Sequence, residues 1–513
     1  MISLLNTIYY LSIALLALIL FKDVRSLLGF IKYWKQGIPI RYFPVIGYFG
    51  FFKSIGQKDE RTNYMNLFKD RSNPSKSVDL LAINNTTTME PIFYINSGDL
   101  LNDFFKVETQ LAFKENAIGT PDQESYLYDK DPQRALRKKG ILSDIFYPEN
   151  LSRLTPELVG IIEKHLDKLK VHLQELSSDE DGFVELDMEE VVTQIFIDII
   201  GLVLIGEDTP SIDGRSIIVH LDECFKTGFM STISLANSLS FGLAMKFNLI
   251  PAANKAKKIE KKIKKLIFDI INNRKESKRY NDSVNMIKLI LKNNEKLAEE
   301  GNEEQMLTPT VILHTIYSMI FAGLDTSKNT TLFSLNQFAK DSALQKRVRD
   351  DVKANIFSEQ PQLKSSAYER SKLLLNFINE ILRLYSPIWT AFARILTKDI
   401  KLGPYRISKG ARVAVPYCSL HRKPEIYDRP NSYDSERYEK REKVDKMGKT
   451  RFQPFGLGRR AYVGKNLADL TLRLLISSLV KRFEFKEASG TAKMVVELVF
   501  KLENGRVKVR NIE

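Results

Sequence analysis

Cysteine is nearly absent: the chain of 513 residues carries two, Cys224 and Cys418. They form no CxxC pair and no disulfide framework, which excludes a disulfide-stapled secreted scaffold and points to a reducing, cytoplasm-facing compartment. Also missing from about residue 50 onward are a low-complexity linker, a repeat of fixed period and any second composition. One large domain is the reading that needs least. The formal net charge is +14, yet no residues suited to reading bases cluster with the positive charge. Nucleic acid is therefore not an expected partner. An anionic membrane surface or an acidic protein remains.

Charge is absent again at the leading end, where Ile2 to Phe21 contain no charged side chain. At about 1.5 Å per residue such a run makes a helix of roughly 30 Å, the depth of one hydrocarbon core. No Lys or Arg precedes it and no small-x-small cleavage site follows, so it reads as an anchor and not as a cleaved signal. Lys22, Arg25, Lys32, Lys35 and Arg41 follow the run, which holds the bulk of the chain on the cytoplasmic side. The segment around Pro39, Pro44 and Gly47 cannot continue a helix. The expected organisation is a transmembrane anchor over 1–21, a basic, proline-containing hinge over 22–48, and one domain over 49–513.

What the domain does contain is helical periodicity, dominant over 133–340. Thr308-Pro309 reads as an N-cap with proline in the first turn, opening a helix that runs to about Lys340 and measures about 48 Å. Residues 78–97 alternate around Asn84-Asn85 and predict a hairpin. Residues 395–416, with Gly403-Pro404, and 483–510, with Asn504-Gly505, read as short strands, and Cys418 is expected in a strand as packing. The sum is mainly α with a minor β region. Lys255 to Lys275, with Ile259, Ile263, Ile267 and Ile270 at helical spacing, reads as an amphipathic helix with a solvated lysine face.

Near the C-terminus stands Phe455-Gly456-Leu457-Gly458-Arg459-Arg460-Ala461-Tyr462-Val463-Gly464. It resembles the haem-binding loop of the cytochrome P450 family, F-x-x-G-x-R-x-C-x-G, with Tyr462 where the cysteine belongs. Three further motifs follow the family's order. Glu380-Ile381-Leu382-Arg383 resembles E-x-x-R, which implies that Glu380 and Arg383 are buried and bonded to Arg437 as a structural cluster. Ala322-Gly323-Leu324-Asp325-Thr326-Ser327 resembles the motif on the long helix where a carboxylate and a hydroxyl pass protons to bound oxygen, which gives Asp325 and Thr326 that role. Gln133-Arg134-Ala135-Leu136-Arg137 sits where the family shows W-x-x-x-R. The resemblance sets Gln133 at the tryptophan position and has Arg137 pair with a haem propionate, together with Arg394 and Arg460. Phe455 and Gly458 complete the cofactor loop. His421 and Arg422 have a mainly structural reading.

The resemblance implies the cytochrome P450 fold, a haem cofactor, electrons from NADPH through a flavoprotein reductase, a lipophilic small-molecule substrate, and a single-pass endoplasmic reticulum location facing the cytoplasm. The basic stretch Lys440, Arg441, Lys443, Lys446 and Lys449 is a candidate dock for an acidic partner. Substrate contacts are expected from the segments 110–130 and 215–250 and from the long helix. At the metal position, thiolate normally pushes electron density onto iron and helps split dioxygen. A phenol oxygen lies about 6.5 Å from its own Cα against about 2.8 Å for a cysteine sulfur. A ligating Tyr462 therefore requires the loop to retreat by about 3–4 Å, which packed interiors resist. The expectation is a haem-type oxidoreductase scaffold whose oxygen-splitting chemistry is impaired. The alternative is an inactive member, or a membrane-tethered binding protein.

Overall fold

The computed structural model describes residues 2–42, 66–70, 76–84, 91–114, 126, 129, 131–206, 211–212, 214–232, 249–274, 284–358, 364–391, 393–438, 452–490, 492–496 and 499–513. Helix α1, Ile2–Trp34, opens the chain. After the turn at Gly37, strand β1 (Ile40–Arg41) joins a six-stranded sheet with β2 (Leu80–Ile83), β3 (Ile92–Ile95), β4 (Ala112–Lys114), β5 (Arg394–Leu396) and β6 (Arg412–Ala414). Their order is β1-β2-β3-β6-β5-β4. β2 and β3 are the two arms of the hairpin expected over 78–97, antiparallel with Leu80 opposite Ile95. β6 runs parallel to β3 and antiparallel to β5, pairing Val413 with Arg394. The sheet thus fixes the direction from which Arg394 enters the interior.

Helices make up most of the remainder: α2 (Pro132–Ser143), α3 (Pro148–Glu175), α4 (Met188–Leu204), α5 (Ile217–Thr232), α6 (Pro251–Arg274), α7 (Pro309–Lys340), α8 (Lys372–Leu384) and α9 (Lys465–Arg482) among them. A second, three-stranded sheet orders Phe483–Glu487, Arg506–Asn511 and Val184–Asp187. The turn at Asn504 takes a left-handed conformation, φ 54°, which an asparagine tolerates better than most residues. The main core gathers around α7. Smaller apolar packing, including Phe30, Tyr33 and Ile38, lies against the six-stranded sheet.

Helix α7 starts as its sequence dictates. Thr308 accepts from the Val311 N–H at 3.3 Å and Pro309 fills the first turn, where its missing N–H costs nothing. The segment Glu303–Lys340 is, among the described residues, the one helix long and apolar enough to cross a membrane, but 67% of its apolar stretch is buried inside the protein. It is a core helix. Its buried hydroxyls are satisfied along its own length: Thr315 bonds to Val311 O, Thr326 to Ala322 O, Thr330 to Thr326 O and Ser334 to Thr330 O, at 2.7–2.8 Å.

Two expectations differ from the structure. A hinge over 22–48 ahead of a domain at 49 is not what the backbone does. α1 continues without a break to Trp34, Phe30 and Tyr33 are buried against the sheet, and β1 is already a strand of it. The apolar face of the helix overrode the basic composition. Pro44 and Gly47 lie outside the described residues. Cys418 sits in a short helix, Tyr417–Leu420, and not in a strand. Pro416 lacks the N–H a ladder needs and ends the extended run. Cys418 is fully buried, and the Arg422 guanidinium donates to its sulfur at 3.0 Å.

Candidate functional site

The segment Gln453–Gly464 closes a cavity under α7. Tyr462 N–H donates to Phe455 O at 2.9 Å and Ala461 N–H to Gly458 O at 3.1 Å, which folds the segment back on itself. Gly458 adopts φ +74° in this turn, a conformation open to glycine at little cost. The cavity is lined by α7 (Phe321, Ala322, Thr326, Thr330), by α2 (Ala135, Lys139), by Arg394 of β5, and by Phe455, Arg460, Ala461 and Tyr462. Its walls are mostly apolar, and cations converge on it from three separate elements.

Helix α2 enters with a register other than the expected one. Gln133 and Arg137 both point outward and are exposed, whereas Ala135 is buried and Ala135 and Lys139 face the cavity. The cause is the N-terminal cap. Asp131 accepts from the N–H groups of Gln133 and Arg134, and buried Asp129 holds Arg134 and Lys138. That anchoring sets which side of the helix faces inward. Lys139 then donates to Arg459 O and Ala461 O, both at 2.7 Å, and ties α2 to the loop. The signal for Lys139 was present in the sequence as the cation four residues after Ala135.

Arg394 is buried and Arg460 half-buried, and both reach the cavity. Phe455 lies nearly parallel to Tyr462, with ring centroids 6.4 Å apart and an interplanar angle of 14°. Tyr462 does not extend straight from the loop. A β-carbon built on Gly464 would stand 2.7 Å from the phenol oxygen, and one built on Gly323 of α7 would stand 3.9 Å from it. The phenol oxygen is therefore lodged where α7 meets the start of α9, and any side chain at position 464 would displace it. Burial pushes the Tyr462 phenol well above the ordinary tyrosine value. Tyr126, on the same cavity, is pushed up as well, by burial first and by Tyr462 second, with Arg460 opposing. Both phenols are neutral hydroxyls.

Asp325 and Thr326 are adjacent on α7 but point about 100° apart around the helix. Thr326 faces the cavity and donates to Ala322 O at 2.7 Å. Asp325 faces away, 2.6 Å from Lys226 Nζ of α5 and 3.2 Å from Lys328 Nζ. Burial alone would raise its carboxyl, but Lys328 and Lys226 hold it below the usual carboxylate range. Lys226 also pairs with Asp222 at 2.7 Å, and Lys328 with Glu189 at 2.8 Å. Sequence reasoning missed this network, although Asp222/Lys226 and Asp325/Lys328 stand at spacings that share a helix face.

Beneath the loop, Glu380 and Arg383 of α8 form a doubly hydrogen-bonded pair, each contact 2.8 Å, and Arg437 Nε adds a third at 3.0 Å. Arg383 also donates to the carbonyls of His421, Pro430 and Ser432. His421 Nε2 accepts from the Gln453 N–H at 3.1 Å, which links the cluster to the start of the loop. The basic stretch 440–449 lies outside the described residues, as do 115–125 and 233–248 of the segments expected to meet substrate.

Comparison with known proteins matches residues 40–508 to the family described as Cytochrome P450. The chain is similar to cytochrome P450 6a2 of Drosophila melanogaster, 21% identical over 76% of this chain and 77% of that protein. It is also similar to cytochrome P450 734A1 of Arabidopsis thaliana, 26% identical over 67% and 63%. Cytochrome P450 3A41 of Mus musculus is 27% identical over 43% and 44%.

Proposed function

Because the chain belongs to the cytochrome P450 family, we propose that it is a haem-type oxidoreductase scaffold in which Tyr462 stands where the family's loop carries its cysteine, and the thiolate-driven attack on oxygen is lost. Cytochromes P450 bind haem iron and draw electrons from NADPH through a reductase, and the chain carries that haem-monooxygenase scaffold.

The cavity lining would suit the apolar body and the carboxylates of such a cofactor, but it offers the metal no thiolate. Arg394 and Arg460 enter walls made by Ala135, Ala322, Phe455 and Leu472, the combination an apolar plate with carboxylate arms requires. Tyr462 offers no thiolate, and its oxygen is already packed against Gly323 and Gly464 as a neutral hydroxyl. That placement is the observation that carries the proposal. Iron ligation asks for a phenolate: burial works against one when no metal is bound, and only the charge of the iron itself would favour it. When bound, haem supplies a redox-active iron and an oxygen site. Lys139 holds the loop, Arg394 and Arg460 supply charge for carboxylates, and Thr326 offers a hydroxyl to the cavity. Asp325 is ionised between two lysines and has no proton to give in this arrangement.

We read the remaining features in the same frame. The ligand is a lipophilic small molecule, in keeping with the apolar walls. The chain is held by its charge-free N-terminal run in the endoplasmic reticulum membrane, with the domain on the cytoplasmic side beside a flavoprotein reductase. The reading is tested by haem content and by the ferrous–CO spectrum of the purified protein. The expected result is no Soret band at the thiolate position, with Tyr462→Cys gaining both the band and NADPH-dependent oxidation of an organic compound. A thiolate-type band or reductase-supported hydroxylation in the parent chain overturns it. A tethered binding protein is the second reading, favoured by the neutral phenol lodged between Gly323 of α7 and Gly464 at the start of α9. A Tyr462→Cys variant that folds yet takes up no haem selects it.

A further inference from the structure

Helix α6 has two faces of opposite character. Ile263, Ile267 and Ile271 are buried one turn apart, where the helix packs on α5 and α7. Lys258, Lys261, Lys262 and Lys265 are exposed on the opposite side, at the i, i+3, i+4 and i+7 spacing of a single row. Among the described residues none of the four ammonium groups has an ion-pair partner, and Asp269, farther along the row, pairs with none of them. Like charges held side by side on a helix repel, so the row is relieved when an anionic surface meets it.

The same chain carries such a surface. Helix Met286–Glu299 and the single turn Glu303–Gln305 present Glu295, Glu299, Glu300, Glu303 and Glu304, all exposed. Lys296 lies 3.8 Å from Glu300, and Gln305 donates to Glu304 at 3.2 Å. Glu295, Glu299 and Glu303 have no ion-pair partner among the described residues. Carboxylates at the C-terminal end of a helix face the negative end of its dipole, the less favourable end for them. This helix packs on α2 and α4, whereas α6 packs on α5 and α7, and no charge of the patch pairs with the row within one molecule.

We propose that the lysine row of α6 docks the glutamate patch over 295–304 of a second copy of this chain. Every copy brings the complement of the row at the row's own concentration. The net charge of +14 makes copies repel in other orientations, so the pairing of row with patch selects how they meet. Two different surfaces come together, so the contact is heterologous: a pair of copies keeps one row and one patch free, and further copies add in series. The proposal stands apart from the chemistry of the cavity.

The test is sedimentation velocity of the full-length chain in detergent micelles at 50 mM and 500 mM salt. The parent is expected to form a concentration-dependent series of oligomers at low salt that high salt disperses. A row variant (Lys258→Glu, Lys261→Glu, Lys262→Glu, Lys265→Glu) and a patch variant (Glu295→Lys, Glu299→Lys, Glu303→Lys) should each associate at least tenfold more weakly. All seven positions are exposed, and circular dichroism checks that the fold is kept. Mixed in equal parts, the two variants should associate again, because every reversed surface then finds its opposite. Both variants stay net positive, so net charge cannot produce that rescue. A parent that is monomeric at all concentrations overturns the proposal, as does association that neither variant weakens. Loss in the row variant alone, without rescue in the mixture, removes the glutamate patch as the occupant. A monomeric parent that binds phosphatidylserine vesicles more tightly than its row variant gives the row to lipid instead.

Discussion

Two clusters of buried charge flank the cavity, and they are built differently. Below the loop, Glu380 and Arg383 are fully buried, and the bonds they exchange are reinforced by Arg437 and by carbonyls of His421, Pro430 and Ser432. Above the cavity, Asp325 shares Lys226 with Asp222, and the Lys226 side chain is 38% exposed. The lower cluster is closed and saturated. The upper one opens to water, and in it three carboxylates, Asp222, Asp325 and Glu189, share two ammonium groups, Lys226 and Lys328. A buried ion pair is expensive to assemble and still more expensive to halve. The lower cluster therefore holds a shape, whereas the upper one is able to change its protonation while the fold survives.

Removing one partner should separate the two most sharply. Glu380→Ala leaves Arg383 and Arg437 buried without their carboxylate and is expected to cost about 3–5 kcal/mol. Urea melts of the purified variant should show the loss, or the variant should fail to accumulate in folded form. A melt unchanged from the parent would remove the distinction drawn here.

A smaller effect is expected from pH. Burial first, and the charge of Asp325 second, raise Asp222 to about 6. Its folded value exceeds its unfolded one, so the stability it contributes is fully present below pH of about 4 and is lost as pH rises toward 6. The loss is about 1–3 kcal/mol, reduced by the opposite response of Asp325, whose folded value is lowered. Melts of the parent and of Asp222→Asn between pH 4 and 7 should converge in slope if Asp222 is not responsible.

The smallest effect belongs to Asp325→Asn. Lys226 keeps Asp222 and Lys328 keeps Glu189, so the expected cost is about 1–2 kcal/mol. NMR titration of the same variant should bring Asp222 downward, since a neighbouring negative charge has gone. A cost as large as that of Glu380→Ala would show the two clusters to be equally rigid.

Local rules were legible where they act alone. The Thr308-Pro309 start of α7, the hairpin arms around 80–95 and the turn at Asn504-Gly505 follow from capping and turn chemistry, and the structure shows each. Register was less legible. Gln133 and Arg137 share a face with one another as surely as Ala135 and Lys139 do. Which face turns inward was decided by Asp129 and Asp131, outside the motif. The Lys226–Asp325 contact joins two helices a hundred residues apart, and no spacing within either announces it. That α1 runs on past the first lysines, with Phe30 and Tyr33 buried, was not legible from composition. The position of Tyr462 was read directly. That its oxygen folds toward α7 required the third dimension.

The hydroxyl ladder of α7 bears on what the cavity can accept. Thr326 donates to Ala322 O within its own helix, and Thr330 does the same one turn on. Redirecting such a hydroxyl to a guest breaks no bond between elements and gives up only a back-bond that slightly weakens a helix anyway. A ligand with an acceptor at that height can thus be recognised without repacking the interior, and it can leave without the protein having to recover its shape.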